Sequence, residues 1–487
     1  MPATSATASA APTPTTTTTA SPLQTCTGPD CSADLRLSEI VAALSTSLDI
    51  TEGQPAGHAV KTCLIGMRLA KEIGSESIDR SALFYALLLK DLGCSSNAAK
   101  MSNLFGADDI ITKRNFKWVD SKRLWDRVTY IARHVAPDGS PLTKAAKLLR
   151  LGAGGTKIAR QVIQTRCERG ASIAKLFGLS DATADAIRAL DEHFDGRGHP
   201  LGLKGEQIPM LGRILCLAQT AEVFHARDGL DATIRMAKQR SGSWFDPQLV
   251  HALAATQHDQ NFWSTLEGDQ WRTQLAQHEP TDQLIIADDP MIDRLCYGFA
   301  QVVDAKSPWT RKHSEGVSLI AEGIGRELHL PIQQLHELRR VGLLHDIGKL
   351  GVSNLILDKQ GPLTDSQLQQ MRLHPTYSRE ILSHVPALNR LATLAGSHHE
   401  KLNGSGYDRG ITGENLTTPE RILATADMFE AMSANRPYRP TMSREKVLAI
   451  LEKEAGTAVC PQALEGLKSF LIKHGYQPAP APEALDH

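Results

Sequence analysis

The chain repeats itself, and this repeat constrains the fold more than any other feature of the sequence. His58 precedes Lys90-Asp91 by 32 residues, the spacing that also separates His313 from His345-Asp346. Further on, the blocks Leu190 to Pro200 and Arg213 to Phe224 mirror the blocks His398 to Asp408 and Arg421 to Met432. The offset between the copies falls from 255 to 208, so the first copy is predicted to carry 47 extra residues within 95–164.

Both copies show helical signals. Ser443, Thr364 and the pair Thr418-Pro419 each stand before apolar residues at spacings of three and four, as at helix N-termini. Strand-like alternation is scarce. The sequence therefore predicts an all-α fold of two tandem helical bundle domains. The predicted divisions are a disordered low-complexity tail (1–34), the first copy (35–276), a linker (277–290), the second copy (291–475) and a disordered tail (476–487).

Composition excludes several classes of protein. The formal net charge of −1 gives no global basic field, so nucleic-acid binding is not expected. No apolar run approaches the ~20 residues that a membrane-spanning helix needs. Apart from Cys26 and Cys31, whose spacing is atypical of a metal or redox pair, the cysteines are scattered as in a reducing compartment. A cytoplasmic location is therefore expected.

The second copy carries a set of metal-binding side chains that the first copy lacks. They are His313, His345, Asp346, His374, His398, His399 and Asp427. Imidazoles with carboxylates suit iron, manganese, zinc or nickel rather than an oxygen-only magnesium or calcium site. Seven groups are too many for one ion, so we expect two transition-metal ions with Asp346 as the bridging carboxylate. His336 and His384, single His residues on helical patterns, are not counted as ligands.

These residues carry a resemblance to a known family. The run LLHDIGK (Leu343 to Lys349), the pair His374-Pro375, the stretch HHEKLNGSGY (His398 to Tyr407) and the helix RILATADMFEAM (Arg421 to Met432) resemble the HD-GYP phosphodiesterases. The resemblance covers Met291 to Gly475. It implies an HD-type all-helical domain that hydrolyses cyclic di-GMP with two, in some members three, iron or manganese ions. All seven family ligand positions are matched, but Trp309 stands where trinuclear members have Glu, so a third ion is not expected.

The resemblance also implies residues that contact the substrate. Lys349 and Tyr407 match family positions, as do Arg436 and Arg439, whose guanidinium groups suit bidentate phosphate contacts. Asp346 and Lys349 are the predicted catalytic residues, the former as the bridge and the latter beside the attacking water. The family's Gly-Tyr-Pro motif reads Gly406-Tyr407-Asp408 here, and losing the proline predicts a more mobile loop with added negative charge.

The first copy diverges at the positions that matter for chemistry. The counterparts of the second copy's ligands are Lys90, Arg166 or Cys167, Leu190, Asp191 and Gln219, and only His58 and Asp91 keep their residue types. An ammonium group at Lys90 would occupy a place meant for a metal cation. The first copy is therefore predicted to be a degenerate, regulatory or structural pseudo-domain.

Three functions are compatible with these patterns. The leading one is a metal-dependent cyclic di-GMP phosphodiesterase that produces the linear dinucleotide and, after a second cleavage, GMP. The second is hydrolysis of another cyclic dinucleotide, such as cyclic GMP-AMP, or of a nucleotide phosphate. The third is a non-catalytic, cyclic dinucleotide-responsive adaptor, against which the intact ligand set speaks. A protein partner such as a diguanylate cyclase domain, and a homodimer that matches the internal repeat, are each compatible with the pattern.

Overall fold

The computed structural model describes residues 35–116, 130, 134–137, 140–268, 270–280, 284–310, 312–434 and 441–476. Arg436 and Arg439, the tail 1–34 with its two cysteines, and all but the first residue of the predicted tail 476–487 lie outside the described residues. Across the described ranges the regular elements are α-helices and short 3-10 helices, with isolated β-bridges and no strand. The all-α prediction is confirmed. None of the described helices is both long and apolar enough to cross a bilayer.

The described helices of the first half are α1 (Leu37–Thr51), α2 (His58–Ile73), α3 (Arg80–Leu89), α4 (Ala98–Phe105), α5 (Asp109–Phe116), α6 (Pro141–Leu176), α7 (Asp181–Arg188), α8 (Met210–Arg240), α9 (Pro247–Ala255), α10 (Gln260–Glu267) and α11 (Trp271–His278). Those of the second half are α12 (Asp289–Asp304), α13 (His313–Glu327), α14 (Ile332–Leu344), α15 (Asn354–Leu357), α16 (Asp365–Met371), α17 (His374–Ser383), α18 (Asn389–Gly396), α19 (Thr418–Ser433), α20 (Arg444–Lys453) and α21 (Pro461–His474).

Helix starts follow the predicted capping signals. The Ser443 side chain accepts a hydrogen bond from the amide of Lys446, and Thr364 forms a capping box with Gln367. At α19 the N-cap is Thr417, which forms a capping box with Glu420, so Thr418 is the first helical residue.

The internal repeat is visible in matching hydrogen bonds. Glu192 accepts from the backbone amides of residues 201–203, and Glu400, 208 residues later, accepts from those of residues 409–411. Asp49 accepts from the amide of Ala59, and Asp304, 255 residues later, accepts from that of Ser314. The same two offsets relate the two copies in space as in sequence.

Two glycines locate the extra segment. A Cβ atom at Gly93 would overlap the backbone oxygen of Arg166, and a Cβ atom at Gly348 would overlap that of His374. The first pair of residues is 47 residues further apart in the chain than the second, so the extra residues lie between Gly93 and Arg166. The described part of this segment contains α4, α5 and the first part of α6.

The two halves pack together within one compact unit that begins at Leu35. Helix α1 contacts α17 and the 3-10 turn Ile347–Gly351 of the second half, and the ring of Phe177 stacks on Phe299 at 5.8 Å. Within the predicted linker, Ile285 accepts a hydrogen bond from the amide of Leu37. The boundaries assigned to the two domains stay a prediction, whereas the site described next is built close to this shared core.

Candidate metal centre

Helix ends bring the predicted ligands together. His313 and His374 are the first residues of α13 and α17, His345-Asp346 follow α14, and His398-His399 follow α18. Asp427 alone lies in the middle of a helix, α19. The buried carboxylate of Asp304 accepts hydrogen bonds from the amide and hydroxyl of Ser314, and these bonds hold the N-terminus of α13 in place.

One carboxylate lies at the centre of the group. Asp346 Oδ2 is 3.4 Å from His313 Nε2 and 3.3 Å from His345 Nε2. Its other oxygen, Oδ1, is 3.3 Å from His374 Nε2 and 3.7 Å from His398 Nε2. Each oxygen of Asp346 therefore faces a different pair of imidazoles, as expected of a bridging ligand.

The remaining two predicted ligands complete these two groups. Asp427 Oδ1 is 3.3 Å from His313 Nε2 and 3.8 Å from His345 Nε2. Asp427 Oδ2 is 3.8 Å from His399 Nδ1, and His399 groups with His374 and His398. All seven predicted side chains are thus within reach of two adjacent points. Their roles as ligands remain a proposal that this geometry supports.

Hydrogen bonds aim the imidazoles at these points. The Nδ1 atoms of His345, His374 and His398 lie 2.9, 2.7 and 2.5 Å from the backbone oxygens of Gly342, Met371 and Ala395. His313 Nδ1 contacts the carboxylate of Glu430. Because Nδ1 must donate in these contacts, the Nε2 lone pairs are left for a cation.

The site also contains polar atoms whose needs are not met by protein. His313 Nε2, His345 Nε2 and Asp346 Oδ1 are buried and have no hydrogen-bond partner among the described residues. Leaving such atoms unpaired costs about 1–3 kcal/mol each. These atoms all point into the same small space, so the donor set fits a pair of borderline transition-metal ions.

Protonation states agree with this fit. Burial lowers the pKa of His399 to about 3 and that of His398 well below its usual value. Burial alone would raise the pKa of Asp346, but the neighbouring His345 and Lys349 charges hold it well below its usual value. His313 differs: burial lowers its pKa, but Glu430 and the two aspartates raise it well above the usual value, so a cation would displace its proton.

A cavity of about 450 Å³ opens on the cluster. Its lining includes Lys349, Tyr407 and Trp309. Lys349 Nζ is 2.5 Å from Asp346 Oδ2, and the Tyr407 ring stacks on His399 at 4.6 Å with the Arg372 guanidinium 5.3 Å from its centroid. The structure thus places Lys349 and Tyr407 beside the predicted ligands, together with cationic and aromatic groups that suit a nucleotide.

The departure from Gly-Tyr-Pro is accommodated by specific contacts. Asp408 has a positive φ of 99°, and its carboxylate contacts the Thr376 hydroxyl and lies 3.7 Å from Arg379 Nε. A Cβ atom at Gly406 would come within 2.6 Å of the backbone oxygen of His399, so the motif's glycine is needed for close approach. The greater mobility predicted for this loop stays a prediction.

The first copy has side-chain cations where the second has its ligand cluster. Lys90, buried, lies 3.1 Å from His58 Nε2 and contacts Asp91. Arg166 contacts Asp191, the counterpart of His399. Two protein cations therefore neutralise this pocket from within, as expected if it holds no metal pair.

Comparison with known proteins agrees with this geometry. The family model described as HD domain matches residues 144–249 and 299–462. The chain belongs to the HD domain family. The matched segments fall in both copies, and the predicted resemblance to HD-type phosphodiesterases is confirmed at the level of this family.

Individual relatives share more of the chain. The 3'3'-cGAMP-specific phosphodiesterase 3 of Vibrio cholerae is 39% identical over 89% of this chain and 94% of its own length. A cyclic di-GMP phosphodiesterase of Thermotoga maritima is 34% identical over 32% of this chain and 43% of its own. The crystal structure of a cyclic GMP-AMP-specific phosphodiesterase of V. cholerae superposes with a TM-score of 0.62 at 35% identity, covering 90% of this chain and 98% of that one.

Sequence reasoning missed Glu430. It lies three residues after Asp427 on α19, and its counterpart Glu222 makes the same contact with His58 in the first copy. The recurrence of this His-Glu pair at both repeat offsets was the available signal. A carboxylate on a ligand's outer nitrogen orients the ring and raises its basicity.

Glu430→Gln is expected to weaken metal retention about tenfold, the lower end for such an outer partner, because the amide keeps an acceptor but loses the charge. Metal content is measured after dialysis against increasing chelator. Glu222→Gln is the matched control, since it removes the same charge from the equivalent pair in the first copy, and it should leave metal retention unchanged. Equal retention in the wild type and Glu430→Gln would contradict the expectation.

Proposed function

We propose that this chain is a metal-dependent phosphodiesterase that hydrolyses a cyclic dinucleotide. The observation that carries the proposal is the Asp346 carboxylate, whose two oxygens face two separate imidazole groups at 3.3–3.7 Å. This arrangement suits two cations with one shared anion, and two-ion sites are typical of phosphoester hydrolysis. The family membership and the names of the relatives support the same reaction class.

The bound ions would supply a nucleophile by lowering the pKa of a water molecule, and positive charge for the phosphoryl oxygens. The four histidines with oriented Nδ1 atoms, together with His399, Asp346 and Asp427, would hold those ions. Lys349 projects its charge into the cavity beside Asp346 and is placed to meet a phosphate oxygen. Tyr407, stacked on His399 and covered by Arg372, forms a polarised aromatic wall for the substrate.

The identity of the ions is proposed as iron or manganese. The ligand set excludes hard, oxygen-only coordination but accepts several transition ions, so supply decides between them. Metal analysis of protein expressed with iron or with manganese is expected to find about two ions per chain, following the two ligand groups.

Cyclic GMP-AMP is the substrate we propose first, with cyclic di-GMP second. The V. cholerae protein named for 3'3'-cGAMP covers almost the entire described chain, whereas the T. maritima protein named for cyclic di-GMP matches only a third of it. The sequence motifs alone favoured the opposite order. The two substrates differ only in one purine, so the phosphate chemistry of the site serves both.

The test is a turnover panel of 3'3'-cGAMP, cyclic di-GMP and cyclic di-AMP under anaerobic conditions with iron or manganese. We expect linear dinucleotide from 3'3'-cGAMP at the highest kcat/KM and slower turnover of cyclic di-GMP. The order of the first two substrates tests the preference. Absence of turnover on all three with two ions bound would overturn the proposed function, and tight binding of a dinucleotide with no metal and no turnover would favour the adaptor.

A further inference from the structure

A buried ion cluster links the first half to the wall of the cavity. Asp109, the first residue of α5 in the extra segment, is completely buried and accepts a hydrogen bond from the backbone amide of Asn354 at 2.9 Å. Its Oδ2 lies 3.6 Å from Lys113 Nζ and 3.7 Å from Lys306 Nζ. Asp109 is thus a first-half residue bonded at the start of α15, a second-half helix.

Hydrogen bonds continue from this point to the cavity. The Asn354 side-chain amide donates to the backbone oxygen of Lys306 at 2.8 Å and to Asp358 at 2.7 Å. The Ser307 hydroxyl donates to Asp358 at 2.5 Å and accepts from the amide of Trp309 at 3.2 Å. We call residues 306–310 and 354–358 the cavity wall.

The cavity wall borders the same space as the metal cluster. Ser307, Trp309, Ile356 and Leu357 line the cavity that also exposes His313, Lys349 and Asp427. An indole at the edge of such a cavity is suited to stack on a nucleobase. The position of Trp309 therefore bears on substrate binding, and the bonds above set that position.

Local structure cannot hold the cavity wall by itself. Helix α15 has only four residues, far below the length at which a helix is stable alone. Buried charges such as Asp109 and Lys306 are costly to desolvate and seldom improve stability over apolar packing. A fully bonded buried network does restrict a segment to one arrangement.

We propose that Asp109 is a positioning residue for the active site: through Asn354, Asp358 and Ser307 it sets the place of Trp309, which stacks on a base of the substrate. The extra segment of the first half is then part of the substrate-binding apparatus of the second. This proposal rests on the proposed function, because it requires a nucleotide substrate.

The test uses the full-length, metal-loaded protein and the best substrate of the panel. Asp109→Asn keeps the acceptor for Asn354 but removes the charge that pairs with two lysines. We expect KM to rise about tenfold, the scale of a lost base stack, with kcat within about twofold and metal content unchanged. The matched control is Asp108→Asn, which removes a charge from the neighbouring N-cap of α5 and keeps capping, and its KM should equal that of the wild type.

A double-mutant cycle separates positioning from general damage. Trp309→Leu is expected to raise KM about tenfold, and adding Asp109→Asn to it should raise KM little further, because the first substitution already removes what Asp109 positions. Wild-type KM in folded Asp109→Asn, or multiplicative effects in the double variant, would overturn the proposal. If Asp109→Asn does not fold, Ser307→Ala decides, since it deletes one hydroxyl of the same network: raised KM supports the proposal and unchanged KM overturns it. Failure of the wild type to turn over any substrate would instead count against the proposed function.

Discussion

Asp346→Ala is expected to lose more than about a hundredfold in kcat/KM and to bind at most one metal ion per chain. A hundredfold is the upper end of the loss when only an outer partner of a ligand is removed, and Asp346 faces both imidazole groups itself. Without a shared anion, two adjacent cations repel each other strongly in a buried site. Metal analysis and steady-state kinetics, with circular dichroism to establish folding, check the expectation.

Asp91→Asn is the matched control, since Asp91 occupies the equivalent position in the first copy and contacts Lys90 instead of facing imidazoles on both sides. It should retain both ions. Asp346→Asn, which keeps the shape and loses the charge, should follow the alanine variant. Wild-type metal content and turnover in folded Asp346→Ala would refute the assignment of Asp346 as the bridge.

Lys90→Met is expected to lower the free energy of unfolding by about 3–5 kcal/mol while leaving metal content unchanged. Lys90 is 1% exposed, and its ammonium lies between His58 and Asp91, so its removal leaves a buried carboxylate without a principal counter-charge. Methionine has a similar length and volume, which limits the contribution of a packing defect. Urea denaturation followed by circular dichroism measures the change.

Lys71→Met serves as the control because Lys71 is an exposed residue of α2 in the same half. A surface substitution of this kind usually changes stability by less than about 0.5 kcal/mol. If Lys90→Met were as stable as Lys71→Met, or if it acquired metal, the view that a side-chain cation replaces metal in the first copy would be wrong.

Much of the fold follows from local patterns. Capping residues such as Ser443 and Thr364 act within one helical turn, so their roles could be predicted without any tertiary contact. The repeat could likewise be predicted, because both copies conserve glycines and carboxylates at two constant offsets. Glu430 was missed because a carboxylate on a polar helix is ordinary until its contact with His313, 117 residues away in the chain, is known.

By itself, the sequence determined the all-α class, the order of the seven candidate ligands and the absence of their counterparts in the first copy. These properties reside in residue type and spacing. Only the tertiary structure decided that the two oxygens of Asp346 face opposite imidazole groups, and that Asp109 reaches Asn354 across 245 residues of chain. Such contacts depend on how helices pack, and spacing along a chain carries no information about which buried carboxylate meets which distant amide.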